Sequence, residues 1–167
     1  MRRLLLVAAI AIASLGAAAT AAADAGGDTA GRKAAVDRLL DASYPDLFAL
    51  YSDIHAHPEL AFHETRTAAL LAAQMRKLGF DVTEHVGGTG LVALYRNGPG
   101  PTVLVRTELD ALPMEEKTGL AYASRVQTDY NGHSTFVAHT CGHDIHMAAW
   151  VGTARALVAM KERWHGT

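Results

Sequence analysis

Apolar residues recur at helical spacing through the first half of the chain. The spacing predicts a helix over residues 32–43 and a second helix that starts at Pro45, because proline suits the first turn of a helix, and ends at Pro58. A third helix is predicted over residues 63–78, with Gly79 placed to stop it. Three helices are therefore expected before residue 80.

Three short β-prone segments follow these helices. They cover residues 80–86, 91–96 and 102–109 and are separated by turn residues, so we expect three strands, the second and third as neighbours. Residues 113–140 are expected to form loops and residues 144–164 a last helix. Helices and strands in alternation indicate the α/β class. The buried face of the last helix is expected to contain Ile145, Ala149, Gly152, Ala156 and Met160.

The composition is that of a globular protein. Half of the residues are apolar, and 15 Lys and Arg nearly balance 17 Asp and Glu. These values exclude a disordered, collagen-like or disulfide-rich chain, and the length allows one domain. The formal net charge of −2 gives no basic surface of the kind that nucleic-acid-binding domains carry. We therefore expect no nucleic-acid partner.

The first 23 residues have the layout of an export signal. Met1-Arg2-Arg3 is cationic, residues 4–15 are almost entirely apolar, and Ala21-Ala22-Ala23 supplies small residues for cleavage. An uncleaved anchor is the alternative, but the apolar core is short for a membrane span of about 20 residues. We expect a signal peptide over residues 1–23, a linker over residues 24–31, and a periplasmic or secreted protein that contacts the membrane only through its signal peptide.

Candidate metal ligands concentrate in one stretch, His139-Thr140-Cys141-Gly142-His143-Asp144-Ile145-His146. Cysteine thiolate and neutral imidazole both suit Zn²⁺. Cys141 and His143 are the strongest ligand pair, because residues two apart project to the same side of an extended segment. His139 and His146 are expected either to support the ligands or to be solvated. Asp144 is expected to cap the following helix or to hold an imidazole ring.

A second polar group lies at the end of the third predicted strand. Glu108 and Asp110 are separated by one apolar residue, so their carboxylates share one face of an extended backbone. Ligands of open α/β sheets bind at the carboxyl ends of strands. Exposed acids at strand ends are common, so this pair gains weight only beside the Cys/His stretch.

These stretches together resemble the aminoacylase-type metallopeptidases. The resemblance extends over most of residues 47–155 and indicates the amidohydrolases of N-acyl amino acids, including hippurate hydrolases and indole-acetyl-amino-acid hydrolases. It implies the N-terminal part of a zinc-peptidase-like catalytic domain, with helices packed on a mixed β-sheet. The motifs that carry it are His57-Pro58-Glu59, Arg106-Thr107-Glu108-Leu109-Asp110-Ala111-Leu112-Pro113 and Cys141-Gly142-His143-Asp144.

The resemblance implies roles for three residues. Cys141 would be shared by two divalent metal ions, His143 would bind one of them, and Asp110 would orient the catalytic site. The ions are expected to be Zn²⁺, Mn²⁺ or Co²⁺. Glu108 stands where the subgroup more often has Asp and receives no ligand role. The resemblance gives no ligand role to His57-Pro58-Glu59, which is expected to be structural.

The implied reaction is hydrolysis of the amide bond of an N-acyl amino acid or a similar small amide. Two bound ions would lower the pKa of water and stabilise the oxyanion that forms on the carbonyl. In the family, one Glu of a Glu-Glu pair takes the proton from water, and the other Glu with two further His completes the metal shell. No Glu-Glu pair follows Cys141-Gly142-His143-Asp144 in this sequence.

We therefore expect residues 32–167 to be the N-terminal portion of the catalytic domain, without the inserted dimerisation domain and the C-terminal half. Such a portion is expected to be inactive alone, and a homodimer is an open option for the full-length form. The second hypothesis is an exported metal-binding module that catalyses nothing. It would hold one ion through Cys141, His143 and either His139 or His146.

Overall fold

The computed structural model describes residues 29–167. The chain divides into two units, Met1–Arg38 and Leu39–Thr167. In the first unit, residues 29–38 are helical and carry an exposed ion pair in which Lys33 Nζ lies 2.6 Å from Asp37 Oδ2. The predicted signal peptide lies outside the described residues, as does most of the predicted linker.

Helix α1 spans Thr29–Ala56 without interruption. The prediction of two helices divided near Pro45 is wrong, and residues 29–31 are helical rather than part of a linker. Pro45 removes one backbone donor from the helix interior. The helix nevertheless continues, because its last turns bury Leu50 and Ile54 in the core of the second unit, and packing of this kind provides most of a helix's stability.

Helix α2 spans Thr65–Lys77, and a residue that precedes the helix caps its N-terminal end. The Glu59 carboxylate accepts backbone hydrogen bonds from Arg66 N at 3.0 Å and Thr67 N at 2.7 Å. A carboxylate at this end satisfies free N–H groups and complements the helix dipole. At the other end Gly79 has φ +87°, as predicted for a stop. Glu59 therefore has the structural role that was expected of it.

The strands form two small antiparallel sheets, which agrees with the predicted α/β class. Strand β1 (Asp81–Val86) pairs with β2 (Gly90–Leu94), and β3 (Gln127–Tyr130) pairs with β4 (His133–Phe136). The second pair lies inside the predicted loop region. Its turn is Asn131-Gly132 with φ of 55° and 79°, a sequence typical of two-residue hairpins.

The predicted strand over residues 102–109 is not a strand in the described part of the chain. Strands β1 and β2 pair with each other instead of with this segment. It is held at separate points: Val103 N donates to Thr167 O at 2.9 Å, and Trp150 Nε1 donates to Val105 O at 3.1 Å. A β-prone sequence forms a ladder only where another strand takes up its N–H and C=O groups.

Helix α3 spans His143–Ala159 and is followed by a short 3₁₀-helix, Lys161–Arg163. Helix α3 therefore ends earlier than predicted. Its expected buried face is wrong at Ile145, which is 57% exposed, and at Ala149, which is also exposed. Among residues 29–167, no helix combines the length and apolar character that crossing a membrane requires.

The core of the second unit lies among all three helices and the β1–β2 sheet. Helix α3 contributes Met147, Val151 and Ala154 to it. Partly buried residues of the sheet, Val82 and Leu91 among them, pack against this cluster. The first turn of α3 is therefore anchored in a packed core, which fixes the direction in which its polar residues point. The remaining buried members of the cluster are Leu50, Ile54, Leu71 and Met75.

Candidate metal centre

The site forms where helix α3 begins. Gly142 has φ +87°, a left-handed conformation that glycine adopts without strain, and the helix starts at the next residue. His143 and His146 are three residues apart, so they lie on one face of the helix. The centroids of their rings are 5.9 Å apart. The start of α3 therefore presents two imidazole rings side by side.

The segment opposite these rings is fixed by backbone hydrogen bonds. Ala111 N donates to Glu59 O at 2.8 Å, and Leu112 and Ala138 exchange two backbone hydrogen bonds of 3.0 Å each. These bonds attach the segment to the turn before α2 on one side and to the approach to α3 on the other. Asp110, which directly precedes them, is thus held in a defined position.

Asp110, Cys141 and His143 meet at one point. His143 Nδ1 lies 2.9 Å from the main-chain oxygen of Asp110 and 3.2 Å from its Oδ1. Because a carbonyl oxygen can only accept, Nδ1 carries the hydrogen, and Nε2 of the neutral ring is left as an electron-pair donor. Cys141 is a free, exposed thiol with Sγ 3.9 Å from the same Asp110 oxygen. The structure thus brings together all three residues predicted for the site.

Glu108 and His146, neither of which was predicted as a ligand of the dinuclear site, lie beside this group. His146 Nδ1 is 3.4 Å from Glu108 Oε2, and Arg106 contacts the other carboxylate oxygen at 3.3 Å. Burial raises the pKa of Glu108, but the hydrogen bond from His146 and the charge of Arg106 outweigh it and lower that pKa below its usual value. Glu108 is therefore held as a carboxylate.

Ligand atoms of Glu108, His143 and His146 all lie within 4.8 Å of one another. The alternation of Glu108 and Asp110 predicted that both carboxylates lie on one face of their segment. This is the sequence signal that places Glu108 and Asp110 at the same site. Both acids do meet the start of α3, although the segment that carries them is not a strand. His146 could be placed only once the rotation of α3 was known.

A second histidine–carboxylate group lies deeper in the molecule. His55 Nδ1 contacts Asp144 Oδ2 at 2.6 Å, and His55 Nε2 contacts Glu116 Oε1 at 3.1 Å. Glu116 also accepts hydrogen bonds from the Thr118 hydroxyl and from Ser124 N. Asp144 thus holds an imidazole ring, one of its two expected roles. The sequence did not single out His55, which lies 89 positions from Asp144.

The charges of this buried group follow from its contacts. Burial lowers the pKa of His55, but the hydrogen bonds to Asp144 and Glu116 outweigh it, and the pKa is raised above its ordinary value. Burial raises the pKa of Glu116, but the hydrogen bonds from Thr118 and His55 prevail and lower it. An imidazolium between two carboxylates is therefore the favoured state, with each ring nitrogen donating to one acid.

His139 differs from both groups. It is 4% exposed, and neither of its ring nitrogens has a hydrogen-bond partner among the described residues. Burial lowers the pKa of His139 to about 4, against a smaller opposing effect of the Asp144 charge. Of its two expected states, the solvated one is excluded. His139 is therefore a buried neutral ring.

Two of the known proteins to which the chain is similar are hydrolases of amide bonds by name. The chain is 43% identical over 111 residues to thermostable carboxypeptidase 1 of Saccharolobus solfataricus, covering 65% of this chain and 26% of that protein. It is 32% identical over 135 residues to the N-acyl-L-amino acid amidohydrolase of Geobacillus stearothermophilus, covering 80% of this chain and 34% of the relative. A scan against protein-family models finds no match.

A solved structure gives the same result. The crystal structure of a dinuclear metal-binding peptidase of the M20 family from Bacillus subtilis matches with a TM-score of 0.66 and 30% identity, over 75% of this chain and 33% of that one. The chain spans about a third of the length of these relatives.

Proposed function

Because the chain belongs to the amidohydrolase and M20 peptidase family over the stretch that it shares with these proteins, we propose that it carries part of an active site for metal-dependent hydrolysis of N-acyl amino acids. The observation that carries the proposal is the convergence of Cys141 and His143 on Asp110. The N-acyl amino acid substrate is proposed because relatives are named for N-acyl-L-amino acids and hippurate.

The donor set fits divalent metal ions. Cys141 supplies an exposed thiol, and His143 supplies an Nε2 that Asp110 leaves free. Thiolate and imidazole are both ligands of Zn²⁺ and related ions. We propose that Cys141 is shared by two ions, Zn²⁺, Mn²⁺ or Co²⁺, and that His143 binds one of them. The dinuclear site named for the Bacillus subtilis relative supports a pair of ions.

The residues of the chain itself prepare this site. Asp110 accepts the Nδ1 hydrogen of His143 and fixes both the tautomer and the plane of the ring, which is how outer partners orient metal-ligating histidines. Bound divalent ions would supply acidity, lowering the pKa of water and polarising the amide carbonyl. Alone, the chain is expected to hydrolyse amides no faster than the same ions in buffer, since no Glu-Glu pair follows Cys141 in its sequence.

Two further properties belong to the proposal. The sequence of residues 1–23 supports export to the periplasm or the medium. A homodimer is proposed for the full-length form, on the resemblance alone.

A chimera tests the proposed reaction. Residues 29–167 replace the matching stretch of the Geobacillus stearothermophilus amidohydrolase, and release of the amino acid from N-acetyl amino acids and hippurate is measured with Zn²⁺, Mn²⁺ or Co²⁺. We expect metal-dependent hydrolysis that His143→Asn abolishes, while the exposed control His133→Gln leaves it unchanged. A chimera that folds and holds metal but hydrolyses neither substrate would contradict the proposal.

The alternative is the metal-binding module without catalysis, in which Cys141, His143 and His146 would hold one ion, and the closeness of the two imidazole rings, with centroids 5.9 Å apart, favours it. A catalytic ion keeps an open coordination position, whereas a structural ion is enclosed by four protein ligands. Titrating acetohydroxamate, a small bidentate ligand, into the Co²⁺-loaded chain separates the two. A shift of the cobalt d–d absorption bands indicates an open site, and an unchanged spectrum supports the module. This readout does not depend on the chimera.

A further inference from the structure

The buried group of His55, Asp144 and Glu116 joins three parts of the chain. His55 belongs to the last turn of α1, Glu116 to the loop before β3, and Asp144 to the first turn of α3. His55 Nδ1 lies 2.6 Å from Asp144 Oδ2, and His55 Nε2 lies 3.1 Å from Glu116 Oε1. The beginning of α3 is therefore attached to α1 by a short, directional contact.

The imidazole ring of His55 is the fixed member of this group. The rings of Tyr51 and Tyr122 flank it, with centroids 5.5 and 5.4 Å from its own. On its Nε2 side, Glu116 is held by the backbone N–H of Ser124 at 2.6 Å. Because these partners enclose the ring, the first turn of α3 takes its position from the ring rather than the reverse.

The backbone before α3 supplies no such constraint. Gly142 precedes the helix with φ +87°, and within the described residues no side chain caps the helix there. Glycine tolerates a wide range of backbone angles, so the turn at Gly142 leaves the direction of the first helical turn open. Asp144 supplies the constraint, because its Oδ1 accepts the backbone hydrogen of Ile145 at 2.9 Å while its Oδ2 contacts His55.

Fixing Asp144 also fixes the ring next to it. Consecutive residues of a helix point about 100° apart, so the direction of Asp144 sets that of His143. The side chain of Asp144 is 2% exposed, whereas His143 is turned outward and its Nδ1 lies 2.9 Å from the main-chain oxygen of Asp110. His55 thus acts on His143 through one intervening residue.

A purely stabilising role does not account for the charged side chains. Apolar residues of similar volume often stabilise a core as well as a buried ion pair or better, because the pair must be desolvated. Helix α3 is already held in the core by Met147 and Val151. What the hydrogen bonds add is direction, since they hold only over a narrow range of distances and angles.

We propose that His55 is a positioning residue, which sets the direction of the first turn of α3 through Asp144 and so directs His143 toward the proposed metal ions. The group itself binds no ion, because carboxylates occupy both ring nitrogens of His55. This role rests on the proposed function only in taking His143 as a ligand, and it adds no further ligand.

Two variants of His55 separate its contacts. An asparagine amide places its NH₂ group about where Nδ1 of histidine lies, and a glutamine amide places it about where Nε2 lies. His55→Asn therefore keeps the donor to Asp144 and loses the one to Glu116, whereas His55→Gln does the opposite. Both remove the ring from the core, so both are expected to lower stability.

Calorimetry with Co²⁺ measures the metal affinity of each variant that circular dichroism shows to be folded, and the cobalt d–d bands are recorded. His55→Gln is expected to weaken binding about 10–100-fold, as loss of an outer contact at a metal site does, and to shift the bands. His55→Asn is expected to stay within about threefold of the wild type, because Asp144 keeps its partner. Ile54→Val, the matched control, loses stability at the adjacent core position and is expected to change neither readout.

Hydrogen exchange supplies a readout without metal. The backbone hydrogen of Ile145, which Asp144 accepts, is expected to exchange at least about fivefold faster in His55→Gln, the factor that corresponds to one net hydrogen bond. In His55→Asn it is expected to exchange at the wild-type rate. NMR measures both rates, and equal rates in the wild type and His55→Gln would overturn the proposal.

The outcomes distinguish this role from the proposed function. If His55→Gln binds Co²⁺ within about threefold of the wild type, or Ile54→Val weakens binding as much as it does, His55 only stabilises the fold and the proposal is overturned. Equal losses in His55→Asn and His55→Gln would overturn positioning through Asp144. If the wild type binds no Co²⁺, or His143→Asn binds it equally well, the ligand pair of the proposed function fails, and the exchange rate of Ile145 alone decides on the positioning of α3.

Discussion

The molecule contains two histidine–carboxylate groups that are built from the same side chains and differ in nearly every physical property. In the buried group, the His55, Asp144 and Glu116 side chains are 9%, 2% and 1% exposed, and each ring nitrogen of His55 has a carboxylate partner. In the open group, Glu108, His143 and His146 are partly exposed, and His143 Nε2 is left free. One group is closed and the other can accept a ligand.

The difference shows how burial separates a structural group from a functional one. Unpaired charges are costly inside a protein, so the buried group is kept only because its hydrogen bonds are complete. The open group is solvated, so incomplete coordination costs little there. Asp144 and His143 are adjacent in sequence, and α3 turns one toward the interior and the other toward the site.

The most direct test of this difference is to truncate one acid of each group. Asp144→Ala leaves the His55 charge with one partner fewer and is expected to destabilise the fold by about 3–5 kcal/mol, the usual cost of breaking a buried pair. Glu108→Ala is expected to leave the free energy of unfolding nearly unchanged, because substitutions of solvated side chains outside the core have little effect on stability. Urea unfolding measures both. Equal losses in the two variants would contradict the division into a structural and an open group.

A third histidine, His139, is expected to make the stability of the fold sensitive to acid. His139 is buried without partners, and its pKa is lowered from 6.5 to about 4. Between those values the unfolded chain takes up a proton that the folded chain refuses, so stability falls as pH falls from 6.5 to 4. The contribution is about 3 kcal/mol at most. The free energy of unfolding, measured in urea between pH 6.5 and 4, should fall much less with pH in His139→Gln than in the wild type. If the two proteins showed the same slope of stability against pH, the His139 ring would have a partner that keeps its pKa near the ordinary value.

The pH response of His55 has the opposite sign and a smaller expected size. Its pKa is raised above 6.5, so its stabilisation is complete below pH 6.5 and is lost as pH rises through the folded value. The pKa of Glu116 is lowered from 4.5, so its contribution is complete above pH 4.5 and is lost as pH falls. Together they stabilise the fold fully only between these values.

Stability of the wild type and of His55→Gln, measured by urea unfolding from pH 6 to 9, checks this sign. The wild type is expected to lose stability as pH rises and His55→Gln to lose less, with the exposed His133→Gln variant following the wild type. A wild type that gains stability over this range would mean that His55 is neutral in the fold.

Local features of the sequence were sufficient for several parts of the molecule. Gly79 ends α2 and Gly142 precedes α3 because positive φ is open to glycine whatever surrounds it. Asn131-Gly132 carries an equally local hairpin signal, and β3 and β4 pair on either side of it where loops were predicted. The Cys141-Gly142-His143-Asp144 string indicated a metal site, since those ligand types in a tight turn have a specific chemistry, and its resemblance to known motifs indicated the family.

Other features of the fold depend on contacts between residues that are distant in sequence, so they became clear only from the tertiary structure. Helix α1 continues through Pro45 because its later turns are packed, and residues 102–109 form no strand because no neighbouring strand pairs with them in the described part of the chain. Asp144 faces inward to meet His55, and neighbouring helical residues point about 100° apart, so Ile145 is turned toward solvent.

The same rotation of α3 sets His146 against Glu108. Local sequence was enough to establish which chemical groups this protein carries and where its backbone turns, because both depend on single residues and their neighbours. Which of those groups meet was decided only by packing, since burial and pairing join residues across long separations in sequence.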